Sequence, residues 1–414
     1  MPFNGSNTFT IVNTFVPGTT ILSSAVNANF TDIATGLSDC VTRDAQGAVT
    51  GNLVFSSTGF IMLPSGTTVQ RPSSAQQAFF RFNSTTVTPE FFDGTAWNSI
   101  AATVIQPQGY LTLTNLAGGG PIITSDVTSA TAVYYSPYVG QLCPIYNGSS
   151  FVNQIFSEQT LTLVSQHVAN TIYDVFAFLN GTTFTIATGP AWSNSAAGSG
   201  ARGTGAGTTQ LQRINGIWVN QVSLTARNGG STFTIPANQG TYLGSLYIDS
   251  VAGQITCYRS LGQSRKWGVW NAYNRVPVIL NAADTTAATW TYATNTIRPS
   301  NGNTANSLTT FTGLAEEEIN IIFSQTAQPI SGTALINNGI GYNSTTAYAT
   351  SSKKGSFNAT GGVISELLSL YVAVPSLGIN TVTCLENSPS SVSVTFFGAG
   401  SSNNNMLMTA QWRA

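Results

Sequence analysis

The sequence predicts a mainly β chain, and three observations carry that reading. Forty glycines and sixteen prolines punctuate a chain rich in Thr, Val, Phe, Tyr and Ile, the composition of strands joined by tight turns. Apolar runs of strand length recur about every 8–12 residues through the middle of the chain, the spacing of a sandwich or barrel. Only one convincing helical pattern stands near the start, at 24–41. The expected order is an N-terminal extended arm with a short self-associating helix (1–60), a small β module (61–108), and two β-sandwich, jelly-roll-like domains (109–275 and 276–414).

At 414 residues the chain has room for several cores. Its charge content is the unusual feature: 14 basic and 15 acidic residues make only 7% of the chain, against about 25% in ordinary domains. The polar surface must therefore consist of Thr, Ser, Asn, Gln and Gly. So few charges exclude electrostatic capture of nucleic acid or of an anionic membrane. No apolar run approaches the roughly 20 residues that span a bilayer, and the first residues lack the basic and apolar regions of a secretion signal. Synthesis in a cytosol is expected.

The arm, 1–22, carries Phe3, Phe9, Ile11, Val12 and Phe15 with no core of its own, so it should dock on another surface. In the helix, Val26, Phe30, Ile33, Leu37 and Cys40 are spaced four, three, four and three, the seam of a coiled coil. Ser23 or Ser24 is placed to cap it. Burying each seam side chain contributes roughly 1.5–3 kcal/mol, while ordering each residue costs about 1–2 kcal/mol and Gly36 adds about 1 kcal/mol. Such a helix should not persist alone. Copies meeting on one axis would hold it; packing on its own chain's sheet is the alternative.

After a turn at 42–47 and a strand at 48–55, the module reads LPSGTTVQRPSSAQQAFFRFNSTTVTPEFFDGTAW over 63–97. Asp93-Gly94 between apolar runs signals a two-residue hairpin turn. A unit of about 40 residues is marginal by itself, which favours intertwined copies.

This stretch resembles the recurring P-x-G-T-T-x-x-R-P, G-x-x-R-[FY]-N and F-E-x-[FY]-D-G-x-x-W module of tailed-bacteriophage fibre proteins, with Ala78 where that module has glycine. The run PGTTILSSAVNANFTDIATGLSDCVTRDAQG at 17–47 is similar to the virion-proximal start of such fibres. Segments at 132–151, 173–192 and 265–278 also look like phage structural protein. The resemblance implies a homotrimeric virion protein of the tail-fibre or head-fibre type and a trimeric helix. It also implies attachment to another virion protein through the N-terminus, and host adhesion through outward β domains to a surface glycan or protein. It implies no chemistry, no cofactor and no metal, and a particle location for a protein made in the bacterial host cytoplasm.

Strands are expected at 110–116, 132–138, 141–146, 160–164, 173–179, 183–188, 216–219, 232–235, 240–248 and 254–260, with Asn147-Gly148 and Asn180-Gly181 as hairpin turns. The Gly/Ala/Ser-rich stretch 192–209 reads as an exposed loop. Beyond 276 the strands include 290–292, 319–324, 362–374, 379–385, 391–397 and 406–412. Leu367, Leu368, Leu370, Tyr371, Val372 and Val374 run too continuously for a half-exposed strand and belong in a core or between subunits.

Chemistry is thinly represented. Gly198 to Gly203 matches GxGxxG, but a strand follows and no acid occurs between Asp174 and Asp249, against a dinucleotide site. His167 is the sole histidine and has no GxSxG partner, so a structural role is favoured over a catalytic triad. Glu316-Glu317-Glu318 is the one acid cluster, better read as a turn or salt bridge than as a glycosidase pair or a calcium loop. Trp192, Trp267 and Trp270 could stack on sugars, yet large aromatics in sandwiches are more often core. Cys40, Cys143, Cys257 and Cys384 lie more than a hundred residues apart, without zinc spacing, and read as buried free thiols. The expected protein is a non-enzymatic adhesive fibre; a capsid-mounted head fibre or decoration protein is the alternative, and a polysaccharide depolymerase is disfavoured because no fixed-period repeat is present.

Overall fold

A computed structural model describes residues 14–38, 59–100, 105–400 and 405–414, without the side chains of 35–38. The chain is mainly β, with one α-helix, Ser23–Ser38, among the described residues. It divides into two compact units, 1–101 and 102–414. The turn at 42–47, the strand at 48–55, the first thirteen residues of the arm, and Cys40 lie outside the described residues.

In the first unit, the Leu22 carbonyl accepts the first helical bonds from Ala25 and Val26, so the capping position belongs to Leu22 and not to Ser23 or Ser24. The module is a four-stranded sheet, Ser65–Gly66, Phe80–Asn83, Thr88–Phe92 and Trp97–Ser99. The quoted motif residues converge on Glu90. Its carboxylate is 2.7 Å from Arg71 and 3.5 Å from Arg81, and it accepts from Asn83 Nδ2 at 2.9 Å. Arg81 also donates to the carbonyls of Gln70 and Thr67. Gly66 leaves room for that guanidinium: a Cβ there would lie 2.7 Å from Arg81 Nη2.

Asp93-Gly94 does not form the expected two-residue turn. Phe92 pairs with Trp97, leaving a four-residue loop. Asp93 Oδ1 accepts the amides of Thr95 and Ala96, and Gly94 takes φ +101°. Asn147-Gly148 repeats this geometry between Tyr146 and Phe151, with Asn147 Oδ1 accepting from Ser149 and Ser150 and Gly148 at φ +100°. A short side-chain acceptor therefore organises both loops. At Asn180-Gly181 the strands pair through Asn180 and Thr183, so the turn residues are Gly181 and Thr182.

The second unit contains an eight-stranded sheet built on the antiparallel neighbours Ile172–Asn180, Thr183–Ala191 and Thr241–Tyr247. It packs with a three-stranded sheet of Gly109–Thr112, Ala132–Pro137 and Gln159–Thr162, bringing Leu111, Val133, Tyr135 and Leu161 into one core with Val175, Phe176 and Leu243. After 276, two six-stranded sheets face each other. One contains Pro277–Ala282, Met406–Arg413, Ile319–Pro329 and Ser365–Ala373; the other contains Ser307–Thr312, Gly378–Asn387, Thr333–Tyr342 and Gly355–Thr360. Strand pairing changes near 275, with Arg265–Lys266 and the Gly262–Ala282 bridge paired across it, while the buried core continues from Leu111 to Ala414.

The stretch 192–209 is the expected loop, exposed along half of its residues, but it is anchored inward. Trp192 and Thr209 are buried, and Arg202 reaches inward to Asp174 at 2.6 Å. The same guanidinium donates to Tyr242 Oη at 3.0 Å and to the Gly313 carbonyl at 2.7 Å, and lies 4.3 Å over the Trp192 ring. Glycine-rich sequence is here a means of wrapping tightly around a buried arginine.

Two outcomes follow from this packing. Ala78 sits at φ +70°, where a Cβ is strained, so Ala78→Gly should stabilise the module by about 0.5–1 kcal/mol, less than the full left-handed penalty because glycine also loosens the unfolded chain; slower proteolysis within 59–100 would register it. Removing Arg202 leaves Asp174 buried and unpaired, so Arg202→Met should cost about 3–5 kcal/mol in urea unfolding, with partial recovery in Arg202→Met/Asp174→Asn.

Candidate interaction surfaces

The helix presents the seam residues unevenly. Phe30 is 65% exposed, and Val26 and Ile33 are half-buried. Leu37 lies in the helix with its side chain among those not described, and Cys40 is beyond the described residues. Val26, Phe30 and Ile33 stand at i, i+4 and i+7, so one turn-by-turn apolar stripe remains open in the single chain.

The module is built inside out. Among described side chains in 14–100, the buried residues are Arg81, Asn83 and Glu90, all polar. Most of its large apolar side chains face outward: Phe60 is 89% exposed, Met62 81% and Val69 94%, with Phe79, Phe80, Phe91 and Ile100 also open, while Phe82, Phe92 and Trp97 are half-buried. A surface recess of about 580 Å³, lined by Pro64, Pro72, Phe79, Phe80, Arg81 and Trp97, opens among them. An ion-pair centre stabilises weakly once desolvation is counted, and exposed aromatics return nothing until covered.

In the strand Ser365–Ala373 the apolar run splits by side. Ser365, Leu367 and Ser369 are buried, whereas Leu368, Leu370 and Val372 are exposed. The strand is therefore half-exposed in the single chain, contrary to the expectation from its continuity. Period two distributes an unbroken apolar run over both faces of a sheet.

The polar candidates are structural. His167 is fully buried: its Nδ1 accepts the Val164 amide at 3.1 Å, which leaves Nε2 to donate to Thr188 Oγ1 at 3.0 Å. Burial lowers its pKa below the usual range. Glu316 bridges Arg213 at 2.7 Å and Arg275 at 3.1 Å, and Glu317 lies 3.6 Å from Arg275. Trp192, Trp267 and Trp270 are buried and offer no sugar-stacking face. Cys143, Cys257 and Cys384 are free, and burial raises all three thiols, Cys257 to about 12. Among the described residues there is no metal-competent cluster of His, Cys, Asp and Glu, and no helix is long and apolar enough to cross a membrane.

No protein-family model matches the chain, and no curated protein matches it. Among solved structures it is similar, at 8% identity and a TM-score of 0.21, to the insecticidal delta-endotoxin Cry8Ea1 of Bacillus thuringiensis over 74% of this chain and 52% of that one. It is similar at 9% identity and a TM-score of 0.23 to the infectious bursal disease virus Gx strain structure, over 75% of this chain and 72% of that one. A Cry1Da tryptic core variant gives 9% identity and a TM-score of 0.16, over 72% of this chain and 53% of that one. The chain thus spans about half the length of the two toxin chains. None of these likenesses assigns a function.

His167 gives the surface analysis a measurable counterpart in the interior. Between the depressed folded pKa and the unfolded value near 6.5, the unfolded chain binds more protons, so stability rises with pH. The contribution is complete above about pH 6.5 and declines below it. Glu386 has the opposite slope, since burial raises it to about 7 despite Arg298. The difference between native protein and His167→Gln isolates the histidine: from pH 7.5 to 5 the native protein should lose more urea stability than the variant.

Proposed function

We propose that this chain is a non-enzymatic, homotrimeric fibre or spike protein of a tailed-bacteriophage virion. Its N-terminal segment attaches to another virion protein, its helix and module associate three copies, and its β body contacts a host-surface glycan or protein. The observation that carries the reading is the inverted module: polar residues inside, large apolar residues outside. A unit of that size needs its apolar surface covered. Further copies supply cover without another gene product, and the helix stripe asks for the same neighbours.

The proposed mechanism is multivalent adhesion. Three weak contacts on one rigid body raise avidity through effective concentration, without a tight individual site. That arrangement suits a surface poor in charge, because binding then depends on repeated apolar and hydrogen-bond contacts instead of steering. The resemblance of 63–97 to phage fibre modules supports the virion setting.

Light scattering on the full-length chain should give the mass of three copies at micromolar concentration, and incubation with purified host capsule or lipopolysaccharide should release no shortened saccharides. A single-chain mass would overturn the trimer; saccharide turnover would overturn the non-enzymatic reading.

A further inference from the structure

The strongest feature outside the N-terminal unit is one face of the sheet formed by Pro277–Ala282, Met406–Arg413, Ile319–Pro329 and Ser365–Ala373. Its register defines the face row by row. Asn320 lies opposite Val372 and Gln411, and Gln411 lies opposite Ile279. Ile322 lies opposite Leu370 and Thr409. Ser324 lies opposite Leu368 and Leu407. Directly paired residues point to the same side, so these side chains form one continuous surface.

Its chemistry is that of an interface. Ile279, Ile322, Leu368, Leu370, Val372 and Leu407 are each at least 36% exposed. Between them stand only neutral Asn, Gln, Ser and Thr. Charges occur at the margins: Glu318 and Arg413 beside the Asn320 row, exposed Lys353 bridged to Leu370 along the outer edge of Ser365–Ala373, and Glu366, which accepts from Ser324 Oγ at 2.6 Å, at the other end. An apolar centre with a charged rim is the arrangement of buried subunit contacts.

We infer that this face is a contact between copies of the same chain, placed in the C-terminal body and separate from the helix and module. This rests on the trimeric reading above and adds a second, independent association surface to it. Two observations point to a second copy as the occupant. First, the exposed apolar side chains, with adjacent Val374, amount to roughly 500 Å², at the upper end of what a monomer leaves open; a standard interface buries about 800 Å² per partner, about 65% apolar between identical subunits. The face therefore has the apolar extent that a self-contact requires. Second, the rim is self-complementary. Arg413, whose Nη2 donates to the Arg275 carbonyl at 2.7 Å, and Glu318 are both exposed; neither enters an ion pair among the described residues, nor do Arg227, Arg259, Lys353 and Lys354. In the inferred contact, the second copy's Glu318 meets Arg413. Identical faces turned toward a common three-fold axis close without leaving an open patch.

Hydroxyl-radical footprinting of the full-length native protein, with light scattering on the same sample, tests the inference. The expected result is a three-chain mass with Ile322, Leu368, Leu370 and Val372 labelled at least tenfold more slowly than the exposed references Val168 and Val251. Leu370→Lys/Val372→Lys should return Ile322 and Leu368 to the reference rate, because unpaired charges cannot be buried at the contact. A three-chain mass with the native face labelled at the reference rate overturns this surface and leaves the trimer standing. A single-chain mass overturns the trimer, and with it the self-contact: labelling then leaves the face bare, and protection assigns it to another segment of the same chain.

Discussion

The buried pair between Arg202 and Asp174 is the interaction around which the large unit is arranged. Asp174 lies in the strand Ile172–Asn180 at the centre of the eight-stranded sheet, and Arg202 comes from the glycine-rich stretch that follows its hairpin partner. Through Nη2 the same guanidinium holds the Gly313 carbonyl, more than a hundred residues downstream. One cation thus ties three segments that share no hydrogen-bonded strand pairing at that point. The carboxylate accepts from Arg202 Nε and Nη2 and from Ser245 Oγ, while the guanidinium also donates to Tyr242 Oη and the Gly313 carbonyl beneath a stacked indole. Such satisfaction is the condition under which a buried ion pair survives its own desolvation. The wrapping loop needs glycine because side chains would obstruct so close an approach; a Cβ on Gly200 would lie 2.5 Å from the Leu377 carbonyl oxygen.

This placement is one case of a wider pattern in the chain: many of its few charges are directed inward. Arg71 and Arg81 meet Glu90, Lys266 meets Asp249, and Arg298 meets Glu386. Arginines also lie over Trp218, Trp267 and Tyr292. Charge employed to fix internal geometry is unavailable for solvation, so the outer surface falls to Thr, Ser, Asn and apolar residues. Such surfaces are stable only where strand edges and apolar faces are paired or covered. Inward-directed charge and apolar faces left open on the outside are therefore two results of one composition.

Much of the fold was legible because half-buried strands advertise themselves by alternation. The strands at 172–180, 241–247 and 406–413 were placed within one residue from the sequence, and 183–191 within three. Thr333–Tyr342 was not among the strands named, since two Asn and two Gly disguise it. Its asparagines are buried and bonded, Asn337 to Asn387 and Asn338 to the Leu367 carbonyl, and a Cβ on Gly339 would run into the Tyr348 ring. Those are tertiary reasons, invisible to a local pattern. The Asx-organised loops at 93–96 and 147–150 were recognised as turns but given the wrong length. The glycine position at Ala78 was visible from the module, while its φ of +70° came only from the fold.

The interaction surfaces were legible to different depths. The helix stripe follows from spacing alone, because a helix has one repeat and its open face can be counted. The inversion of the module does not follow from spacing: Arg81, Asn83 and Glu90 alternate with apolar neighbours on either side of a short sheet, and the sequence cannot say which side faces inward. The hydrogen bonds decide it, since Glu90 has partners from three side chains and those partners fix the polar side as the centre. The run 367–374 poses the same ambiguity at larger scale. An apolar residue on every position of a strand satisfies two faces at once, and both need an apolar neighbour. The facing sheet covers Leu367, while nothing in the described unit covers Leu370 or Val372. In a chain with so little charge to solvate its surface, a sheet that is apolar on both faces calls for two kinds of neighbour: the chain's own second sheet on one side and, in the contact inferred above, another copy on the other.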